Sequence, residues 1–196
     1  MISHAVIIEG LTDHADLDLV DVRRAAHQAI NKTLDRARAH AAREIRNQVA
    51  FPYGYLEGAD SRLRVTQRAT SDRLEGIVTG RQRPTSLARF VTMGAVGKRG
   101  GVRLTIKPGS SVSLPRAFLM PLRAGSEPGR NLGLAMRVPK GTKPDRAYKP
   151  TRIADGLYLL YGASVDQVFR TVREDISAET AAYLEAEFSR LLELGK

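Results

Sequence analysis

The sequence predicts an α+β fold in which a long N-terminal helix packs on an antiparallel β-sheet and is followed by a C-terminal helix, with extended basic loops. Residues 18–49 contain neither Gly nor Pro, and their apolar residues recur every three or four positions. Residues 62–138 change to short β-branched and apolar runs separated by Gly and Pro, and residues 165–192 return to helical spacing. Because no repeat or linker divides the chain, we expect a single domain over residues 1–196.

The long helix is predicted from its two faces. One face is apolar and carries Val22, Ala26, Ile30, Leu34, Ala37, Ala41, Ile45 and Val49. The opposite face is basic and carries Arg23, Arg24, Lys32, Arg36, Arg38, Arg43 and Arg46. At about 1.5 Å per residue such a helix is roughly 45 Å long, so we expect part of it to pack on another element or subunit. Residues 3–9 indicate a short strand before it, Asp13, Asp16 and Asp18 can cap it, and Pro52 ends it.

Six tracts in the middle of the chain indicate strands, because they are short, rich in β-branched or apolar residues and bounded by turn residues. They are residues 62–69, 72–81, 84–91, 101–109, 115–122 and 131–139. Gly, Pro and basic residues are abundant in residues 96–101, which we predict to be a loop, and in residues 138–152, which we predict to be a mobile loop or arm. A final strand is predicted over residues 153–162, and Ser177 is a candidate break in the C-terminal helix.

The positive charge is concentrated in the middle of the chain. The formal net charge is +10, and residues 62–152 contain 20 Lys or Arg against four Asp or Glu. Residues 164–196 contain four basic residues against seven acidic ones. A chain this basic usually meets nucleic acid, an anionic surface or an acidic protein. Aromatic residues make up only 6% of the chain, so base stacking has little support, while non-specific phosphate contacts stay open.

Ser164 is predicted to lie on a strand-to-helix turn, the position at which hydrolases of the G-x-S-x-G type keep their nucleophile. Asp166 stands in the place of the second Gly, and all four histidines lie within the first 40 residues, although such hydrolases need a later His. Ser164 and Gln167 instead match the S-x-x-Q capping box, and Asp166 complements the positive end of the helix dipole. We therefore predict Ser164 and Gln167 to form a structural cap, and we predict no catalytic residues.

The composition does not indicate a metal or cofactor site. The chain has no Cys, and no two histidines are three or four positions apart, so the common ligand spacings are missing. No apolar stretch of about 18 residues and no signal sequence with a basic flank occurs. We therefore expect a protein without cofactor, metal or membrane span.

Four tracts follow one another along the chain: AINKTLDRARAHAAREIR (29–46), PTSLARF (84–90), PRAFLMPL (115–122) and YGASVDQVF (161–169). Together with the basic β region and the acidic C-terminal helix, they resemble the prophage minor tail protein Z family of long-tailed bacteriophages. More broadly, they resemble the tail-completion or tail-terminator proteins of the phage neck. The resemblance covers roughly residues 20–196. Its most specific part is LYGASV (160–165), where the family tends to have Pro at the position of Ala163.

The resemblance implies a structural virion protein and no catalytic residues. Such a protein completes or terminates the tail at its head-proximal end and helps to join tail to head, as a ring for which six copies is one candidate number. The implied partners are the protein itself, the tail-tube protein and head-side connector proteins, with non-specific contact to passing DNA. The implied location is the tail or neck of the virion, assembled in the bacterial host cytoplasm. The choice between tail terminator and head-side connector stays open.

The charge asymmetry suggests how copies meet. We predict subunit or partner contacts at six basic loop residues: Lys98, Arg99, Lys140, Lys143, Arg146 and Lys149. In a ring, the basic loops of one copy would face the acidic C-terminal helix of the next. Two other classes stay open: a basic nucleic-acid-binding protein that uses residues 62–152 for phosphate contacts, and a small hydrolase that uses Ser164.

Overall fold

The computed structural model describes residues 19–58, 61–93, 101–122, 131–139, 141–142 and 144–194. Within these residues the α-helices are α1 (Leu19–Gln48), α2 (Tyr53–Leu56) and α3 (Val165–Leu194), and 3₁₀ helices span Leu87–Phe90 and Arg146–Tyr148. The strands are β1 (Leu63–Gln67), β2 (Ile77–Gly80), β3 (Thr85–Ser86), β4 (Val91–Met93), β5 (Val102–Lys107), β6 (Ser110–Leu114), β7 (Ala117–Pro121), β8 (Leu132–Arg137), β9 (Thr151–Ala154), β10 (Leu157–Leu159) and β11 (Tyr161–Gly162). The strand predicted over residues 3–9 and the aspartates predicted to cap the long helix lie outside the described residues.

The two 30-residue helices α1 and α3 pack side by side and run antiparallel. Lys32 of α1 pairs with Glu187 of α3 at 2.7 Å, whereas Gln48, at the other end of α1, accepts a hydrogen bond from Thr171 at 2.8 Å. Most of the predicted apolar face of α1 is buried, including Ile30. The bounds predicted for α1 are confirmed, and α3 is a second element on which this long helix packs.

The main hydrophobic core lies where the C-terminal half of α1 and the N-terminal half of α3 meet the strands. Leu34 and Ile45 of α1 contribute to it, as does Val172 of α3. At the opposite end of the helix pair, a smaller cluster packs alanines of α1 around Phe188 of α3. The strands therefore gather mainly around one end of the helix pair, and this is the end that carries the candidate site.

All strand pairs among the described residues are antiparallel, and the predicted α+β class is confirmed. The strands are distributed over several small sheets and do not form one continuous sheet. The strand orders are β1-β2, β11-β3, β4-β5-β6 and β7-β8-β10-β9. β1 and β2 contact the helix pair directly, and loop residues also reach it, since the Asn31 side chain of α1 donates to the Ala69 carbonyl and the Asp166 N–H of α3 donates to the Arg81 carbonyl.

The strand predicted over residues 84–91 is wrong at its centre. Thr85 and Ser86 are extended, but the chain then forms the 3₁₀ helix, which begins where the Ser86 side chain accepts a hydrogen bond from the Ala88 backbone N–H. Leu87 and Phe90 are both buried, and residues three positions apart lie on one side of a 3₁₀ helix. Burial of this pair favours the helix over a continuous strand.

Turn chemistry explains two further differences from the predicted strands. Pro108 and Gly109 join β5 to β6, a strand that the serine-rich sequence did not indicate, and Gly109 has the positive φ of 75° that a type II turn needs at this position. The final strand predicted over residues 153–162 is instead the β9–β10 hairpin, which turns at Asp155 and Gly156, followed by the separate β11. An Asp-Gly pair between apolar residues is a strong hairpin signal.

α3 has no break at Ser177. The Ser177 hydroxyl donates a hydrogen bond of 2.8 Å to the backbone carbonyl of Glu174, one turn earlier. A serine that bonds back to the preceding turn is tolerated inside a helix. The helix continues to Leu194 because Phe188 still packs against α1 beyond this serine.

Candidate anion-binding site around Tyr55

The site is organised by the aromatic ring of Tyr55, which is only 6% exposed. α1 ends at Gln48, and Pro52 stands at the start of the short helix α2, where the Tyr55 backbone N–H donates to the carbonyl of Pro52 at 2.9 Å. The Tyr55 ring stacks on Phe51 with ring centroids 5.5 Å apart, and Phe51 also contacts Phe90 at 5.5 Å. This packing against Phe51 holds the Tyr55 ring in a fixed position.

Three arginines from separate segments converge on Tyr55. The guanidinium carbon of Arg89 lies 4.8 Å from the ring centroid, and that of Arg62 lies 5.9 Å from it. Arg81 donates from Nη1 to the Tyr55 hydroxyl at 3.4 Å. Guanidinium groups within about 6 Å of an aromatic face are attracted by its negative potential, so Tyr55 holds these groups close to one another.

Local structure dictates this convergence. Arg62 lies just before β1 and Arg81 just after β2, and the Arg81 backbone N–H bonds to the carbonyl of Arg62 at 2.8 Å, which extends the pairing of the hairpin. Arg89 lies on the exposed side of the 3₁₀ helix, because its neighbours Leu87 and Phe90 are turned into the core. The fold thus brings together residues far apart in the sequence.

Arg64 is the fourth member of this group. Its side chain is exposed, and its Nε donates to the backbone carbonyl of Ser61 at 2.6 Å. The surface pocket beside it is lined by Ser61, Arg62, Arg64, Thr79, Gly80 and Arg81. We call Arg62, Arg64, Arg81 and Arg89 the arginine cluster.

The arginine cluster is electrostatically unbalanced. Across the part of the chain that the structure describes, none of its four arginines forms an ion pair, whereas Arg46 pairs with Glu57 at 3.1 Å and Arg68 with Asp35 at 2.8 Å. The Nε of Arg62 is buried without a hydrogen-bond partner. The positively charged guanidinium groups repel one another, and an anionic oxygen group bound in the pocket would offset this repulsion by attracting each of them. The arrangement can therefore bind a carboxylate or a phosphate.

The loop residues predicted as contacts are placed only in part. Lys98, Arg99, Lys140 and Lys143 lie outside the described residues. Arg146 is exposed in its 3₁₀ helix, whose first turn is capped by Asp145. Lys149 is exposed, and its Nζ donates to the side-chain oxygen of Gln167 at 2.5 Å.

The predicted arm is folded in its described residues. Tyr148 packs against the main core, and Lys149 reaches the start of α3. The arm predicted over residues 138–152 also ends before residue 151, because Thr151 and Arg152 belong to β9. Of the basic residues predicted in this segment, Lys149 is thus held next to α3.

Ser164 lies at the start of α3 and is 2% exposed. Its hydroxyl accepts a hydrogen bond from the Gln167 backbone N–H at 3.1 Å, and its own N–H donates to the Gln167 side-chain oxygen at 3.1 Å. This reciprocal pair is the geometry of a capping box. Asp166 is buried and pairs with Arg170 at 2.8 Å, and its negative charge lies in the first turn of α3.

The carboxylates of α3 fall into two groups. Some are paired: Glu187 bonds to Lys32 at 2.7 Å and to Arg190 at 2.6 Å, and Glu179 to Arg36 at 3.1 Å. The hydrogen bonds from Arg190 and Lys32 lower the pKa of Glu187 to about 2. Others are exposed and form no ion pair with any described residue: Glu174, Asp175, Glu185 and Glu193. α3 therefore presents a free acidic surface to solvent.

The sequence did not reveal the arginine cluster, because its members come from three segments and follow no common motif. The described residues contain no group of three or more His, Asp or Glu side chains placed to hold a metal ion. In the same residues, no helix has the length and apolarity needed to cross a membrane. Comparisons with protein-family models, curated proteins and solved structures gave no match.

Proposed function

We propose that this protein is a structural component of a phage virion that completes or terminates the tail at its head-proximal end, helps to join tail to head, and works as a ring of identical copies. The proposal is carried by the tract YGASVDQVF, on which the resemblance mainly rests. In the structure this tract joins β11 to α3, and its Ser164 hydroxyl is buried as a helix cap. A tract that fixes the start of a long helix supports a role in assembly more than one in chemistry.

The distribution of charge also supports self-assembly. Each copy carries arginines around Tyr55 and carboxylates on α3 that form no ion pair with any described residue. When two complementary surfaces lie on different parts of one chain, the contact between copies is heterologous, and it closes a ring if the rotation allows. The tail-tube protein and head-side connector proteins are the proposed neighbours of this ring in the tail or neck of the virion.

The mass and shape of the purified protein test the proposal. Size-exclusion chromatography with light scattering should give one closed oligomer, and negative-stain images should show rings. A protein that stays monomeric at every concentration up to the highest attainable would contradict the ring. Replacing Lys140, Lys143, Arg146 and Lys149 by Glu should abolish ring formation if the basic loop contacts the next copy. Rings that persist in this variant would exclude the loop as a contact and leave the ring itself in place.

Phosphate contact with nucleic acid is a second candidate function, and the unpaired guanidinium groups of the arginine cluster favour it. Affinity for a DNA duplex should then fall steeply as salt rises, since each neutralised phosphate releases counterions. An anisotropy titration from low to physiological salt measures this slope. Weak binding with a shallow slope would leave the structural role as the better account.

A further inference from the structure

We propose that the arginine cluster is the docking site for the outer face of α3 from a second copy, with the carboxylates of Glu174 and Glu185 facing the guanidinium groups. This inference rests on the proposed ring and identifies one of its contacts. It concerns a surface separate from the basic loop, and a helix of 30 residues, about 45 Å long, has room for both.

The receiving surface is preorganised. Arg62, Arg81 and Arg89 are anchored on the buried ring of Tyr55, and Arg64 is anchored on the Ser61 carbonyl at 2.6 Å. Side chains already held in place lose little conformational freedom on binding. Guanidinium groups also bind carboxylates through paired, charge-assisted hydrogen bonds. A carboxylate that entered this pocket would find several fixed donors.

The donor surface follows from the periodicity of α3. Glu174 and Glu185 are eleven positions apart, which is about three helical turns, so they share one face roughly 16 Å apart. At Glu174 this face lies opposite the one that buries Val172 and Ile176 in the main core. The exposed residues between the two glutamates include Ala178, Ala181 and Ala182. Small side chains allow the backbone of α3 to approach a partner closely.

A carboxylate of the same protein fits the cluster better than a nucleic acid. The aromatic ring at the cluster is buried beneath the arginines, so Tyr55 offers no free face on which a base could stack. The carboxylates of Glu174 and Glu185 lack an ion pair with any described residue, just as the arginines do. A heterologous contact would pair both sets in every copy of a closed ring.

Charge reversal tests the contact. The first variant combines Arg64→Glu with Arg89→Glu, two exposed side chains, and the second combines Glu174→Arg with Glu185→Arg. Each should lose the oligomer in sedimentation velocity, and the variant with all four substitutions should regain it, since the charges are then exchanged. The matched control is Arg103→Glu, an exposed strand residue outside the cluster, which should assemble like the wild type. Circular dichroism melting of each variant checks that it is folded.

The outcomes separate this inference from the proposed function. A monomeric wild type would overturn both. Wild-type rings that survive the Arg64 and Arg89 reversals would overturn the docking site alone, as would a four-substitution variant that stays monomeric. If the arginine reversals abolished binding of inorganic phosphate or duplex DNA while rings persisted, the cluster would be a phosphate site and the docking proposal would be wrong.

Discussion

Gln167 and Ser164 exchange two hydrogen bonds of 3.1 Å at the start of α3, and the same Gln167 oxygen accepts from the Nζ of Lys149 at 2.5 Å. One side chain therefore joins the helix cap to the basic segment that precedes β9. Ser164 is buried, and its hydroxyl accepts the Gln167 backbone N–H. The strand-to-helix turn thus couples the most specific tract of the sequence to the surfaces proposed for assembly.

Replacement of Ser164 tests the cap. Ser164→Ala leaves the Gln167 N–H without its side-chain acceptor, so the free energy of unfolding should fall by about 1 kcal/mol in urea titrations. Ser164→Thr keeps a hydroxyl and should lose less. An Ala variant as stable as the wild type would contradict the capping role. A hydrolase that used this serine would instead lose its activity in the Ala variant with little change in stability.

Glu187 should make the protein sensitive to acid. Its pKa in the folded protein is about 2 against an ordinary value of 4.5, because Arg190 and Lys32 donate hydrogen bonds to its charged form. A lowered pKa contributes stability that is present above pH 4.5 and is lost as the pH falls toward 2. In Glu187→Gln the free energy of unfolding should therefore lie below that of the wild type at pH 6, and the two values should approach each other as the pH falls through this window.

The matched control for this titration is Glu193→Gln. Glu193 lies six positions further along α3, is exposed, and forms no ion pair with a described residue. Since this variant loses no ion pair within the copy, its free energy of unfolding at pH 6 should match that of the wild type. A difference between wild type and Glu187→Gln that stayed constant from pH 6 to pH 2 would contradict the role of the Lys32 and Arg190 contacts.

Gly80 is expected to tolerate no side chain. A Cβ at this position would lie 2.8 Å from the Cα and 2.9 Å from the backbone N of Asp166, and backbone atoms at the start of α3 cannot rotate away. Gly80→Ala should therefore destabilise the protein by about 1–3 kcal/mol, a typical cost of overpacking. Gly54→Ala is the control, because a Cβ there meets nothing within 4 Å and Gly54 lies in α2. Equal stability of the two variants in urea would contradict this close contact.

The sequence predicted those parts of the fold that depend on neighbouring residues. The bounds of α1 follow from a run without Gly or Pro and from the spacing of its apolar residues, and the start of α3 follows from Ser164 and Gln167. The 3₁₀ helix was not predicted, because it depends on burying Leu87 and Phe90 together in a tertiary core. Local β propensity does not contain that information.

The candidate site could not be predicted for the same reason. Arg62 and Arg81 become neighbours through the pairing of β1 with β2, and Arg89 joins them only because the 3₁₀ helix turns it outward. Tyr55, the group they share, precedes all three in the sequence and belongs to α2. The sequence showed an excess of positive charge, but only the fold shows where that charge converges.

Tyr55 links stability to the proposed assembly. Tyr55→Phe keeps the ring but removes the hydroxyl that accepts from Arg81 at 3.4 Å and donates to Thr85 at 3.5 Å, so the free energy of unfolding should fall by about 0.5–1.5 kcal/mol. Tyr55→Leu also removes the face beneath Arg62 and Arg89. Self-association measured by sedimentation velocity should therefore weaken little in the Phe variant and clearly in the Leu variant.

The control for both substitutions is Tyr53→Phe, because Tyr53 is 80% exposed in the same helix and lies outside the arginine cluster. This variant should match the wild type in stability and in assembly. Urea titration of the Leu variant gives the fraction that is folded, so a loss of assembly can be separated from unfolding. A folded Tyr55→Leu variant that assembled as tightly as the wild type would show that the ring of Tyr55 does not position the arginines for docking.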